Sequence, residues 1–149
     1  MSLIPRFVEY AAAFEKAYES RDFSVLEPFF TEDAVYEVPL PGVLGGRWEG
    51  RAAVLACLES VTDRFDRRFA SRVVALVAGP REEKDSVWLR GSAHYTAPGL
   101  PDLHFELEET ARFRGDRICH LSDHYGEADT RALTDYLGAH GAKLGIEGA

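Results

Sequence analysis

The sequence predicts an α+β domain: a curved antiparallel sheet, wrapped like a cone by three helices and finished by a short C-terminal helix. Three observations predict it. Apolar residues recur at three-to-four spacing in the first part of the chain and again near its end. From about residue 69 to residue 125 the period changes to two. The connections within that stretch are hairpin-length, which makes successive strands antiparallel neighbours.

The elements follow in order. Phe7, Ala11, Phe14 and Tyr18 mark an amphipathic helix over Pro5–Ser20, with Pro5 suited to its first turn. Asp22 can cap a second helix presenting Phe23, Leu26 and Phe30, kept short or irregular by Pro28. Ala34–Leu40 alternates as a strand with Tyr36, Val38 and Leu40 on one side. Pro39, Pro41, Gly42, Gly45 and Gly46 then read as a loop. Gly50 opens a third helix with a stripe of Val54, Leu55, Leu58, Val61, Thr62 and Phe65. The strands Phe69–Ala78, Ser86–Thr96, Leu103–Arg114 and Ile118–Tyr125 come next, separated by turns at Pro80–Asp85, Ala97–Asp102 and Gly115–Asp116. A last helix over Asp129–His140 turns Leu133, Tyr136 and Leu137 inward, and the tail Gly141–Ala149 is expected to fray.

At 149 residues this is one domain, with its core over about residues 5–127. A net charge of -8 and no basic stripe argue against nucleic acid or anionic membrane as partners. No apolar run spans a bilayer, and Met1–Phe14 carries Glu9 and lacks a signal-peptide cleavage site, so a cytoplasmic location is expected. Cys57 and Cys119 are expected to be free thiols, with no Cys-x-x-Cys pair to hold a metal. No nucleotide-binding loop or nucleophile elbow is present, so no cofactor is expected.

Two acids break the pattern. Glu109 falls among the inward residues Phe105, Leu107, Ala111 and Phe113, and Asp123 falls in the row Cys119, Leu121, Tyr125. A carboxylate on a face hidden from water is costly unless paired, hydrogen-bonded or protonated, which makes both candidates for chemistry. Whether they meet depends on the turn. A two-residue loop at Gly115–Asp116 pairs Arg114 with Arg117 and turns His120, Ser122 and His124 inward. A three-residue loop pairs Glu109 with Asp123 and Ala111 with Leu121. The apolar pattern favours the second register, because burying a whole strand face outweighs one turn preference.

The order of elements and the run Phe30-Thr31-Glu32-Asp33-Ala34-Val35-Tyr36-Glu37 resemble the nuclear transport factor 2-like superfamily. The segment from Gly46 through Arg47, Trp48, Glu49 and Gly50 to Arg51, and the ending Phe113–Ile118 through Asp123-His124-Tyr125, are similar to its SnoaL-like polyketide cyclase branch. The resemblance covers about Phe7 to Tyr125 and implies the cone fold. That fold hosts isomerases, cyclases, hydrolases, dehydratases and non-enzymes. In the related ketosteroid isomerases the base precedes the strand's proline, and Val38 stands there. Their oxyanion tyrosine matches Phe14, and their oxyanion acid matches Glu109. Limonene-epoxide hydrolases resemble the chain at Val38–Pro41 and Asp123, but their Arg and second Asp fall near Gly91 and Ala93.

The expected site is therefore Asp123 as base and Glu109 as proton donor. Phe14, Tyr36, Val38, Leu40, Trp48, Tyr95, Phe105, Leu121 and Tyr125 are the expected lining for a small hydrophobic carbonyl compound. Isomerisation, cyclisation or dehydration fits such a device, with an epoxide hydrolase, a non-catalytic ligand carrier or a dimeric module as alternatives. Plainer roles exist for both acids: Glu109 bonded to a buried Arg or a tyrosine hydroxyl, Asp123 paired with Arg72 or capping a turn. His94, His104, His120 and His124 fall on the outer sheet face with Trp88, Arg90 and Ser92. That face reads as a homodimer interface rather than a metal site.

Overall fold

The computed structural model describes residues 2–146. Helix α1 (Ile4–Ser20) is followed by a 3-10 segment, Phe23–Phe29, and strand β1 (Phe30–Val38). A 3-10 turn and strand β2 (Gly46–Glu49) lead into α2 (Arg51–Arg64). After the 3-10 turn Asp66–Arg68 come β3 (Ser71–Glu83), β4 (Ser86–Thr96), β5 (Leu103–Arg114), β6 (Arg117–His124) and α3 (Glu127–Leu144). The six strands form one sheet in the order β2-β1-β6-β5-β4-β3. All neighbours are antiparallel except β1 and β6, which run parallel.

Local chemistry explains most of this. The Asp22 side chain accepts from the Ser24 backbone N–H at 3.0 Å and starts the second segment. Pro28 inside that segment keeps it in tight 3-10 turns. The buried stripe of α1 is Leu3, Phe7, Tyr10 and Ala17, so Tyr10 rather than Ala11 carries its centre.

Four boundaries differ from the sequence reading. β1 starts at Phe30 and ends at Val38, so Leu40 lies outside it. The glycine-rich stretch holds a strand, β2, because Gly46–Glu49 finds hydrogen-bond partners on β1 that local composition does not reveal. β3 runs through Pro80 to Glu83, its register with β4 shifted twice on the way. The C-terminal helix is longer than Asp129–His140. It reaches Leu144 and ends at Gly145 in the left-handed conformation, with the Ile146 N–H returning to the Gly141 carbonyl at 2.9 Å. Ile146 is buried, so residues 141–146 pack instead of fraying; the rest of the expected tail lies outside the described residues.

The hairpin between β5 and β6 resolves the choice posed by its turn. The loop is Gly115–Asp116, with Gly115 at φ 64° and Arg114 opposite Arg117. Phe113 faces Ile118, yet Arg112 faces His120, so Cys119 is an extra residue in β6. That bulge moves the register by one, and Glu109 meets Asp123 while Ala111 meets Leu121. The local turn preference and the burial of the apolar face are both satisfied.

Two apolar clusters flank the inner face. One joins α1, the 3-10 segment, β1 and α2 through Phe7, Phe23, Leu26, Phe30, Val54 and Leu121. The other joins α3 to the far end of the sheet through Leu133, Tyr136, Phe69, Tyr95 and Phe105. On the outer face the Trp88 indole donates to Glu108 at 3.1 Å, under the guanidinium of Arg81. His94 meets Asp102 and His120 meets Glu37 there. No group of three or more potential metal ligands converges among the described residues.

Candidate active site

A cavity of about 410 Å³ lies between the inner face of the sheet and the helices. Glu109 and Asp123 both line it, from directly opposed positions on β5 and β6. Asp123 is 7% exposed, and Glu109 keeps some accessible surface because it faces the hollow itself. The Tyr36 hydroxyl donates to Asp123 Oδ2 at 2.5 Å. Asp123 Oδ1 is buried and receives no donor from any other described group. Its partner is the proton carried by the neighbouring Glu109 carboxyl.

Electrostatics divides the pair. Burial pushes the Glu109 carboxyl well above the ordinary carboxylate value, the charge of Asp123 adds to the rise, and a hydrogen bond to Asp123 holds the proton in place. Burial also raises Asp123, but the hydrogen bonds from Glu109 and Tyr36 oppose that rise. The two titrate as a unit in which Glu109 is the protonated partner and Asp123 the anion. The plainer pairings are not formed: Arg72 goes to Asp66 and Glu15, and the Tyr36 hydroxyl goes to Asp123 rather than to Glu109.

Of the expected lining, Phe14, Tyr36, Tyr95, Phe105, Leu121 and Tyr125 are in the cavity wall. Val38, Leu40 and Trp48 are not. Val38 packs in the core beneath α2, and Leu40 has left the strand for the gap between the two clusters. Trp48 stacks on the Tyr36 ring at 5.6 Å and so backs the wall instead of forming it. Trp48 belongs to the strand missed in the sequence, whose pairing places it opposite Tyr36.

The wall also holds polar residues not foreseen. Tyr10, on α1, is 4% exposed; its pKa is raised well above the usual phenol value by burial and then by Glu109 and Asp123. No hydrogen bond engages its hydroxyl or that of Tyr125 among the described residues. The three-residue step from Phe7 to Tyr10 was the available signal. At the other end stand Asp66, Arg72 and Tyr95. The Tyr95 hydroxyl donates to Asp66 Oδ2 at 2.8 Å and Arg72 Nε donates to the same oxygen at 3.1 Å. Asp66 follows a helix end and sits in no alternating run, so periodicity could not place it. Val74 and Leu76 line the cavity while 47% and 57% exposed, which puts an apolar mouth along β3.

This geometry defines a class: a helix-covered curved sheet holding a mostly apolar hollow with an opposed acid pair. The chain belongs to the SnoaL-like domain family, which matches residues 10–132. No curated protein matches the sequence. Among solved structures it is similar to TerC co-crystallised with polyporic acid, at TM-score 0.67 and 18% identity over 89% of this chain and 98% of that one. Bal32a from a soil-derived mobile gene cassette aligns at TM-score 0.69 and 16% identity, over 91% of this chain and 98% of that one. An epoxide hydrolase of the limonene-epoxide-hydrolase-like kind from M. tuberculosis aligns at TM-score 0.61 and 18% identity, over 93% and 97%. These likenesses establish the nuclear transport factor 2-like fold. No helix among the described residues is long and apolar enough to cross a membrane.

Proposed function

We propose that this protein is a cofactor-free acid–base enzyme acting on a small, apolar, ring-bearing carbonyl compound. The observation that carries this reading is the opposed pair Glu109–Asp123 at a cavity wall, two carboxyls placed to share one proton. Asp123 takes a proton from the carbon next to the carbonyl. The C–H electrons move into the carbon–carbon bond, and the carbonyl oxygen gathers charge. Glu109 gives that oxygen its hydrogen bond and then its proton, so the first product is the enol. The Tyr36 hydroxyl keeps Asp123 ionised and aimed. Return of a proton at another carbon completes an isomerisation; attack of the enol carbon on a second carbonyl completes a cyclisation. The free hydroxyl of Tyr10 is a further donor within the field of both acids.

The test is deuterium exchange from solvent into the carbons next to the carbonyl of a panel of aryl and cyclic ketones, read by mass spectrometry. Exchange above the buffer rate is expected, falling about 100-fold or more in Asp123→Asn and in Glu109→Gln, the range for a lost general acid or base. Equal exchange in both variants and the parent would end the enzymatic reading and leave a ligand carrier of the same fold. The outer face, with Val73 at 62% exposed beside His94, supports a homodimer; sedimentation as a pure monomer would remove that part.

A further inference from the structure

Tyr125 lines one cavity together with two separate polar groups. Both groups line the same hollow, so a single bound molecule can address them together. One is the acid pair. The other is Asp66, whose side chain is 12% exposed and lines the same hollow.

At that second end both side-chain donors converge on one oxygen. Tyr95 and Arg72 bond Asp66 Oδ2, the residue's own backbone N–H also serves the carboxyl, and no other side chain occupies Oδ1 among the described residues. A carboxylate this deep gains from each added donor, because water no longer supplies them. Arg72 has nothing left to give a ligand: its two terminal nitrogens bond the Glu15 carboxylate at 2.8 and 3.3 Å, and its plane lies over the Tyr18 ring. It is the one cation in the cavity wall among the described residues, against the acids Glu15, Asp66, Glu109 and Asp123. An anion entering this space meets several carboxyls and no unengaged positive charge.

We propose that Asp66 is a specificity residue: it accepts a hydrogen bond from a hydroxyl at the end of the substrate remote from its carbonyl, and the cavity turns away carboxylated analogues. The substrate class is then an uncharged hydroxylated ring ketone, and about 410 Å³ suits a molecule of two or three fused rings. This rests on the carbonyl being held at Glu109 and Asp123. The plain alternative is that Asp66, Arg72 and Glu15 only tie α1 to β3.

The experiment is fluorescence titration at pH 6.5 with three probes: 2-acetylnaphthalene, 6-hydroxy-2-acetylnaphthalene and 6-acetyl-2-naphthoic acid. The hydroxylated probe should bind about ten-fold tighter than the bare one, as expected for a hydrogen bond to a charged group, and the acid should not bind detectably. Asp66→Asn should cut the hydroxyl preference to about three-fold or less with the bare ketone's affinity unchanged. Tyr95→Phe keeps the ring, frees Asp66 Oδ2 and should hold or raise the preference. It decides the matter if the Asp66 variant fails to fold. A preference unchanged in Asp66→Asn, a preference lost in Tyr95→Phe, or tight binding of the naphthoic acid would overturn the proposal. Glu109→Leu separates the two ends: with no donor left at that position it should weaken both ketones equally and leave their ratio intact. If it leaves both affinities untouched, the acid-pair reading fails while the Asp66 end stands.

Discussion

Replacing Glu109 by Gln should make the protein more stable as the pH rises, and the size of the effect follows from where the proton sits. Burial and the Asp123 charge raise the folded-state pKa of Glu109 well above its ordinary value of 4.5. Between 4.5 and that folded value, the native protein holds one proton that the unfolded chain has released. The contribution of this group is therefore fully present below pH 4.5 and is lost as pH climbs through the folded pKa. The loss amounts to about 1.4 kcal/mol per pH unit within the window. A glutamine amide imitates the protonated acid: it donates to Asp123 and does not titrate. Near pH 4.5 the variant and parent should have similar stability. Above it the gap should open by about 1.4 kcal/mol per unit, or roughly 3–6 °C in Tm for a chain of this size. Urea unfolding from pH 4.5 to pH 8 measures it directly. Parallel stability curves for the two proteins would show that Glu109 is ionised in the native state, and the division of roles within the pair would fall with it.

Two more outcomes follow from the same neighbourhood. Tyr36→Phe removes the donor to Asp123 Oδ2 and should cost about 1–3 kcal/mol in urea unfolding at pH 7, because the acceptor left behind is buried; a neutral substitution would mean that solvent reaches Asp123. Deleting Cys119 removes the bulge yet leaves Phe113 opposite Ile118 and Glu109 opposite Asp123 in an uninterrupted ladder. The shortened chain should keep the pH-dependent stability gap on Glu109→Gln, whereas loss of that gap would mean that the bulge itself holds the acids in register.

The sequence determined which side chains face the hollow wherever a regular strand carried them. Alternation is a property of neighbouring residues, so Glu109 betrayed its orientation among Phe105, Leu107 and Ala111 without any knowledge of the rest of the chain. Asp123 was read correctly for the same reason, although the turn pointed the other way, because an apolar strand face outweighs a loop preference. The tertiary structure alone decided how both could hold: one unpaired residue, Cys119, absorbs the conflict, and its cost is set by neighbouring strands rather than by local sequence. It also decided the features that depend on distant partners. Short β2 exists because β1 offers its edge, and β1 itself lies parallel to β6. Asp66, Arg72 and Glu15 come from a turn, a strand and a helix and meet only once the lid closes over the sheet. Periodicity reports the direction of a side chain along its own element. It carries no information about which other elements will stand opposite, and an enclosed cavity is made of those relations.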